Sequence, residues 1–261
     1  MGSRTLALST SPYQHWHDHF FDKIEGRNRL PWNDASRLND FERRIVGRSI
    51  QQFQLGEWAR GRGFRRRAEL HPAFAGDDCF IPSLELFIAE EQHHSDVLGR
   101  FLDLERIPRL RQHWLDGIFR RLRKLAGLEA CAAVLVTAEV LAMPFYQALR
   151  DATGSGLLRS ICIQILCDEA AHLNYQALTI GLIRRRLTEK SRARRARYHS
   201  LLFRCTAFVV WQQHRRVFRA ARWDFRRFWN DASRTFSVLQ SRIRRFSVAD
   251  GGETADDLRL D

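Results

Sequence analysis

The sequence predicts an all-α protein: a four-helix bundle with one long crossover between its second and third helices, and extra helices at the C-terminus. Three observations carry this. Over four long stretches between residues 40 and 183, apolar residues recur at steps of three and four, the period of a helix with one buried face. A Glu-x-x-His doublet occurs twice, as Glu91 with His94 and as Glu169 with His172, and side chains three apart on a helix project from the same side. Each doublet is preceded on a separate stretch by a single glutamate set in an apolar stripe, Glu57 and Glu139. The chain therefore reads as two matching helical hairpins with a carboxylate at similar depth in each.

Composition bounds the function. The 261 residues are 44% apolar, ample for a core. The five cysteines, Cys79, Cys131, Cys162, Cys167 and Cys205, are odd in number and lack C-x-x-C spacing, which argues against a disulfide framework, a zinc knuckle or a rubredoxin-like iron site. Reduced thiols and a cytoplasmic location are expected. Residues 1–12 lack the apolar run of a signal peptide, and Leu6 stands where N-myristoylation requires Ser or Thr. The most apolar stretches, such as 201–211, fall short of the ~18–20 residues of a membrane span, so none is expected.

In chain order, residues 1–39 form an N-terminal extension in which Tyr13, Trp16, Phe20 and Phe21 mark a short helix, followed by a turn at Pro31, Asn33 and Asp34. His15, His17 and His19 alternate, but residues two apart on a helix do not face each other, so they are not expected to converge on a metal. From 40 to 64, Val46, Ile50, Phe53, Gly61 and Phe64 give the first bundle helix, with Glu57 on the same stripe. Taken alone, Glu57 reads as a helix-end residue at the core margin. Gly61 and Gly63, with the Arg65-Arg66-Arg67 cluster, are expected to end that helix. After a loop over 68–81, Pro82 and Ser83 open the second helix, whose stripe runs Leu84, Phe87, Ile88, Glu91, His94, Leu98 and Phe101. That stripe turns Glu91 and His94 inward and leaves Glu90 beside them.

Residues 103–125 read as the crossover, with Trp114, Ile118, Leu122 and Leu125 lining one side and basic residues the other. The third helix, 128–151, carries Glu139 in mid-stripe after two turns without any charge, which burial alone does not explain; Pro144 is expected to kink it. Residues 153–156 turn the chain into the fourth helix, where Ile161, Ile165, Glu169, His172, Gln176 and Ile180 share a face. The formal charge of +13 belongs to the C-terminal segment: residues 184–245 hold 19 Lys and Arg against Glu189, Asp224 and Asp231. This basic, aromatic-rich extension, 184–246, reads as one or two helices packed on the bundle. Its charge suits either an anionic partner, RNA or a lipid surface, or a merely solvated face, and its interleaved aromatics suit either packing or base stacking. Residues 247–261 read as a disordered acidic tail.

Four carboxylates and two neutral imidazoles would bring a charge near −4, which two divalent first-row ions neutralise. Mixed oxygen and nitrogen donors suit iron or manganese. The set Glu57, Glu91, His94, Glu139, Glu169 and His172 resembles the ferritin-like di-iron carboxylate superfamily, whose pattern is a Glu and then a Glu-x-x-His from each of two helix pairs. The resemblance spans about residues 40–183. It implies two Fe ions, or an Fe/Mn pair, held by those six residues, with Asp168 orienting His94, Glu90 orienting His172, and Tyr146 and Gln176 lining the pocket. It further implies O₂ as co-substrate, an electron-donating reductase as partner, and an oxidase or oxygenase acting on an organic substrate. The doublets are also similar to those of the tRNA hydroxylase acting on isopentenyl-type adenosines, which extends the implied substrates from small molecules to tRNA-borne groups. A homodimer is compatible with this reading. Two other functions fit the same residues: an iron-binding or ferroxidase protein without an organic substrate, and an RNA- or membrane-surface-binding helical protein whose core is only structural.

Overall fold

The computed structural model describes residues 11–25, 30–58, 62–111 and 127–248. Among these residues the secondary structure is entirely helical. Among the described residues eight α-helices follow one another: α1 (Gln14–Glu25), α2 (Asp40–Trp58), α3 (Arg62–Glu69), α4 (Phe80–Leu104), α5 (Leu128–Asp151), α6 (Gly156–Arg185), α7 (Glu189–Ala220) and α8 (Phe225–Val248).

Helices α2, α4, α5 and α6 surround the central core, and their directions follow from the residues that meet. Gln54 of α2 donates to the Ser95 hydroxyl of α4 (3.0 Å), while Gly47 lies against Ile107, so this pair is antiparallel. In the second hairpin Glu129 of α5 pairs with Arg184 of α6 (2.8 Å) and Glu139 with Gln176, again antiparallel. Across the hairpins, Glu90 meets His172 and His94 meets Asp168, which sets α4 antiparallel to α6 and hence parallel to α5. A parallel pair needs a connection as long as the bundle. The segment read as that crossover lies mostly in 112–126, outside the described residues.

Local chemistry sets the ends of these helices. Pro82 occupies the first turn of α4, where its missing N–H leaves no bond unmade, so the helix opens at Phe80, two residues earlier than expected. Ser155 caps α6 by accepting from the Leu158 N–H (3.3 Å), and Thr188 caps α7 through Ser191. Helix α5 continues through Pro144, although that residue withholds the N–H that the Val140 carbonyl would accept. By length and composition α5 also qualifies as a membrane span, contrary to the expectation that no stretch would. Most of it is packed inside the protein, around the buried Glu139, which makes it a core helix.

The Arg65-Arg66-Arg67 cluster does not simply end α2. It lies on a separate helix, α3, where Arg65 pairs with Glu69 one turn on (3.1 Å) and with Glu85 of α4 (2.8 Å). The N-terminal extension is likewise part of the core. Tyr13, just before α1, and Trp16 and Phe20 of α1 are buried against α4 and α6, with the Tyr13 hydroxyl bonded to Thr179 (3.1 Å) and Phe20 packed on Phe87 and Tyr175.

The C-terminal extension forms two helices. Helix α7 packs on α5 and α2, bonding His199 to Thr137 (3.1 Å) and His214 to Ser49 (2.9 Å). Helix α8 packs on α6 and α5, approaching so closely at Gly181 that a Cβ there would sit 2.4 Å from Phe246 Cβ and 3.2 Å from the Ile243 carbonyl. Phe203, Phe218, Phe228, Phe236 and Phe246 bury their rings in this layer, while most of its arginines remain exposed.

Candidate metal centre

Inside the four-helix core, the apolar stripes deliver their charged members to one place. Glu57, Glu139, Glu169, His172, Glu91 and His94 are all at most 1% exposed. They form two groups. Glu57, Glu91, His94 and Glu169 bring one ligand atom each to within 4.8 Å of one another, and so do Glu91, Glu139, Glu169 and His172. Glu91 and Glu169, one from each hairpin, belong to both. Each group could hold one metal ion, with Glu91 and Glu169 common to both.

Each imidazole is held from outside by a carboxylate of the opposite hairpin. His94 Nε2 lies 3.0 Å from Asp168, and His172 Nε2 lies 2.7 Å from Glu90. These bonds turn Nδ1 of both rings toward the shared glutamates, with His172 Nδ1 2.9 Å from Glu91. A carboxylate behind a metal-binding imidazole fixes its tautomer and raises its basicity. Both supporting acids sit one position before a shared glutamate, so a single sequence step supplies a ligand to the centre and a brace to the neighbouring helix.

The single glutamates are braced as well. The Tyr146 hydroxyl donates to Glu57 (3.3 Å), and the Gln176 amide donates to Glu139. Ser95, bonded to Gln54, ties α2 to α4 at the position next to His94. All ten residues named from the sequence for this site thus lie in or around one cluster, and all come from one chain. His15, His17 and His19 do not join it: the His15 and His19 rings lie tilted to each other 6.3 Å apart on α1, and His17 pairs with Asp18.

The electrostatics are strained without a cation. Burial works against a charge on His172, yet the surrounding Glu169, Glu90 and Glu91 carboxylates hold its pKa well above the usual imidazole value. Burial likewise opposes the charge on Asp168, but the bonds from His94 and from the Lys23 ammonium bring its carboxyl down to about 2. Glu90 is also lowered, against its burial, by His172. Glu169 is the least compensated member: neither of its oxygens has a hydrogen-bond partner, and the nearest imidazole nitrogens are 3.7 and 4.0 Å away. His94 Nδ1 also lacks one. A buried carboxylate without donors costs several kcal/mol, of order 2–7 even for a neutral polar group. A divalent cation bonded to these atoms would remove that cost, so the donors present fit a pair of metal ions.

The sequence reading did not assign Lys23 or Phe20 to this site. Lys23 Nζ bonds Asp168 Oδ1 (2.8 Å), extending the chain from His94 through Asp168 to α1, and the Phe20 ring packs edge-on against His172, 5.9 Å between centroids. A signal was present. Trp16, Phe20 and Lys23 follow one another at steps of four and three, so Lys23 belongs to the buried stripe of α1 and not to its solvent face.

Compared with protein-family models, curated proteins and solved structures, the chain matches none.

Proposed function

We propose that this protein is a ferritin-like, non-haem di-iron oxidase or oxygenase that uses O₂ to hydroxylate or oxidise an organic substrate. The observation that carries the reading is the sharing of Glu91 and Glu169 between two buried ligand groups, each completed by one further glutamate and one imidazole. Storage of a single structural ion would not require the second group, and a purely structural core would gain nothing from four buried carboxylates.

In this reading Glu57, Glu91, His94 and Glu169 hold one ion, and Glu91, Glu139, Glu169 and His172 the other; iron, or an iron–manganese pair, matches the oxygen and nitrogen donors. When bound, such a pair supplies the reduction of O₂ and the oxidation of substrate, with electrons from a separate reductase. The chain's own residues set the geometry. Asp168 and Glu90 keep Nδ1 of each imidazole directed inward by accepting the Nε2 proton. Tyr146 and Gln176 fix one oxygen of Glu57 and Glu139 and leave the other for the centre. Phe20 and Phe87 close the His172 side against water, with the Phe87 ring 4.7 Å from the imidazole. The substrate is a small organic molecule or a group carried on tRNA.

The test is anaerobic loading of the purified protein with Fe(II), followed by metal analysis and O₂ consumption in the presence of a chemical reductant. Two irons per chain and O₂ uptake beyond that needed to oxidise the bound iron are expected. Uptake that stops at iron oxidation, or many more than two irons per chain, would replace the enzyme with an iron-binding or ferroxidase protein.

A further inference from the structure

The basic cover carries a feature that packing on the core does not use. Helix α7 has nine Lys and Arg against a single carboxylate, Glu189 at its first residue. Its inward face is occupied by Phe203, Ala207, His214 and Phe218. On the opposite face Tyr198, Leu201, Cys205 and Phe208 follow one another at steps of three, four and three, which places them in one line along the helix. All four are solvent-exposed, with Tyr198 at 65%, Leu201 at 59% and Phe208 at 56%. The same line continues at both ends as exposed basic residues: Lys190, Arg194 and Arg197 on the N-terminal side, Arg215, Arg216 and Arg219 on the C-terminal side. Arg204 flanks its middle.

The order of residues along this face, basic, apolar, basic, discriminates among partners. A second copy of the chain meeting α7 antiparallel would oppose the N-terminal cluster of one to the C-terminal cluster of the other, and parallel docking would oppose like to like. Both place arginine on arginine with no acidic residue on the face to relieve it. A nucleic-acid strand would engage the arginines and could stack on Tyr198 and Phe208, but Leu201 and Cys205 between them offer no aromatic plane for a base. An anionic bilayer uses every part. Apolar side chains enter the boundary between headgroups and acyl chains, while arginines on both sides reach lipid phosphates and carboxylates.

We propose that the outward face of α7 is a docking surface for an anionic lipid membrane, with Leu201 and Phe208 inserting and Arg194, Arg197, Arg204 and Arg215 binding headgroups. This inference is independent of the metal reading, because these residues face away from the core.

Co-sedimentation of the full-length protein with vesicles tests it. Binding to phosphatidylcholine vesicles containing about 30% phosphatidylserine is expected to be at least tenfold stronger than to phosphatidylcholine alone, and to weaken as salt is raised. Arg197→Glu with Arg204→Glu should reduce it more than tenfold. Leu201→Asp with Phe208→Asp should do the same, and the milder pair Leu201→Ser with Phe208→Ser by several-fold, with circular dichroism and metal content unchanged because the positions are exposed. No binding to the anionic vesicles at low salt would overturn the proposal. So would vesicle binding that the arginine variants abolish but neither apolar pair alters, or a single-stranded RNA oligonucleotide bound more tightly than the vesicles and displacing them.

Discussion

The two imidazole sides of the candidate metal centre are built on the same plan and differ in one respect. On each, a Glu-x-x-His doublet supplies a shared glutamate and a histidine, and the acid immediately before the shared glutamate reaches across to brace the histidine of the other hairpin. Behind Asp168, however, stands Lys23 of α1, bonded at 2.8 Å. Glu90 feels Lys23 only through space, and its bonded partner is His172 itself. The hairpins therefore account for a near-symmetric core, and the N-terminal helix makes it unequal. Asp168, already bonded to an ammonium, is a poorer acceptor for the His94 proton than Glu90 is for that of His172, so the His94 imidazole should be the less basic ligand and its ion the more easily lost.

The largest effect should come from removing a residue common to both sides. Glu169→Leu should abolish binding of both ions in metal analysis, whereas Glu57→Ala and Glu139→Ala should each leave about one per chain. The same Glu169→Leu variant should be more stable than wild type in denaturant unfolding when both are metal-free, since it removes one of four carboxylates crowded in the core while His172 keeps Glu90 and Glu91 as partners. A loss of stability in the metal-free state would contradict the electrostatic account.

Smaller effects should separate the braces. Asp168→Asn and Glu90→Gln are each expected to weaken metal affinity about 10–100-fold, the first at the His94 side and the second at the His172 side. Equal loss at both sides in stepwise titration would remove the distinction between them. Lys23→Met frees Asp168 from its bonded cation and should shift affinity mainly at the His94 side, because Lys23 acts on Glu90 only through space. Lys23 is partly exposed, so the change should be a few-fold, corresponding to about 1 kcal/mol or less, with Lys23→Arg restoring it.

The burial and convergence of the six Glu and His side chains were legible because buried charge is rare and periodicity locates it. Glu139 follows two uncharged turns of an apolar helix, and the stripe through Leu84, Phe87 and Leu98 separates Glu91 and His94 from the neighbouring Glu90 and His93. The extent of α5, 128–151, was legible for the same reason. Helix α1 was harder to place. It has only 12 residues, its polar positions outnumber its apolar ones, and the contact of Lys23 with Asp168 joins residues 145 apart, which no local pattern encodes. Helix α3 was missed because glycines at 61 and 63 and three consecutive arginines oppose helix formation locally, whereas Glu85 on α4 supplies the compensating charge from a distance.

One of the two buried histidines of the cover, His199, offers a contrast with those of the centre. His199 is held neutral, its pKa lowered to about 3 by burial and by Arg184. Gln240 donates to its Nδ1 (2.8 Å), and its Nε2 faces the Thr137 hydroxyl (3.1 Å), an arrangement that suits the neutral ring. Because the folded-state value lies below the unfolded one, near 6.5, this group's stability contribution is complete above about pH 6.5 and is lost as pH falls toward 3, with a slope of at most about 1.4 kcal/mol per pH unit. His199→Gln should flatten that part of the acid-unfolding curve. An unchanged slope would remove His199 as its source.

The central claim is that the six buried side chains hold two ions that share Glu91 and Glu169. Metal analysis of the protein after anaerobic Fe(II) loading and removal of loose metal measures this directly. The account predicts two irons per chain in the wild type, one in Glu139→Ala and none in Glu169→Leu. Wild-type protein that retains no metal, or a Glu169→Leu variant that retains both ions, would contradict it.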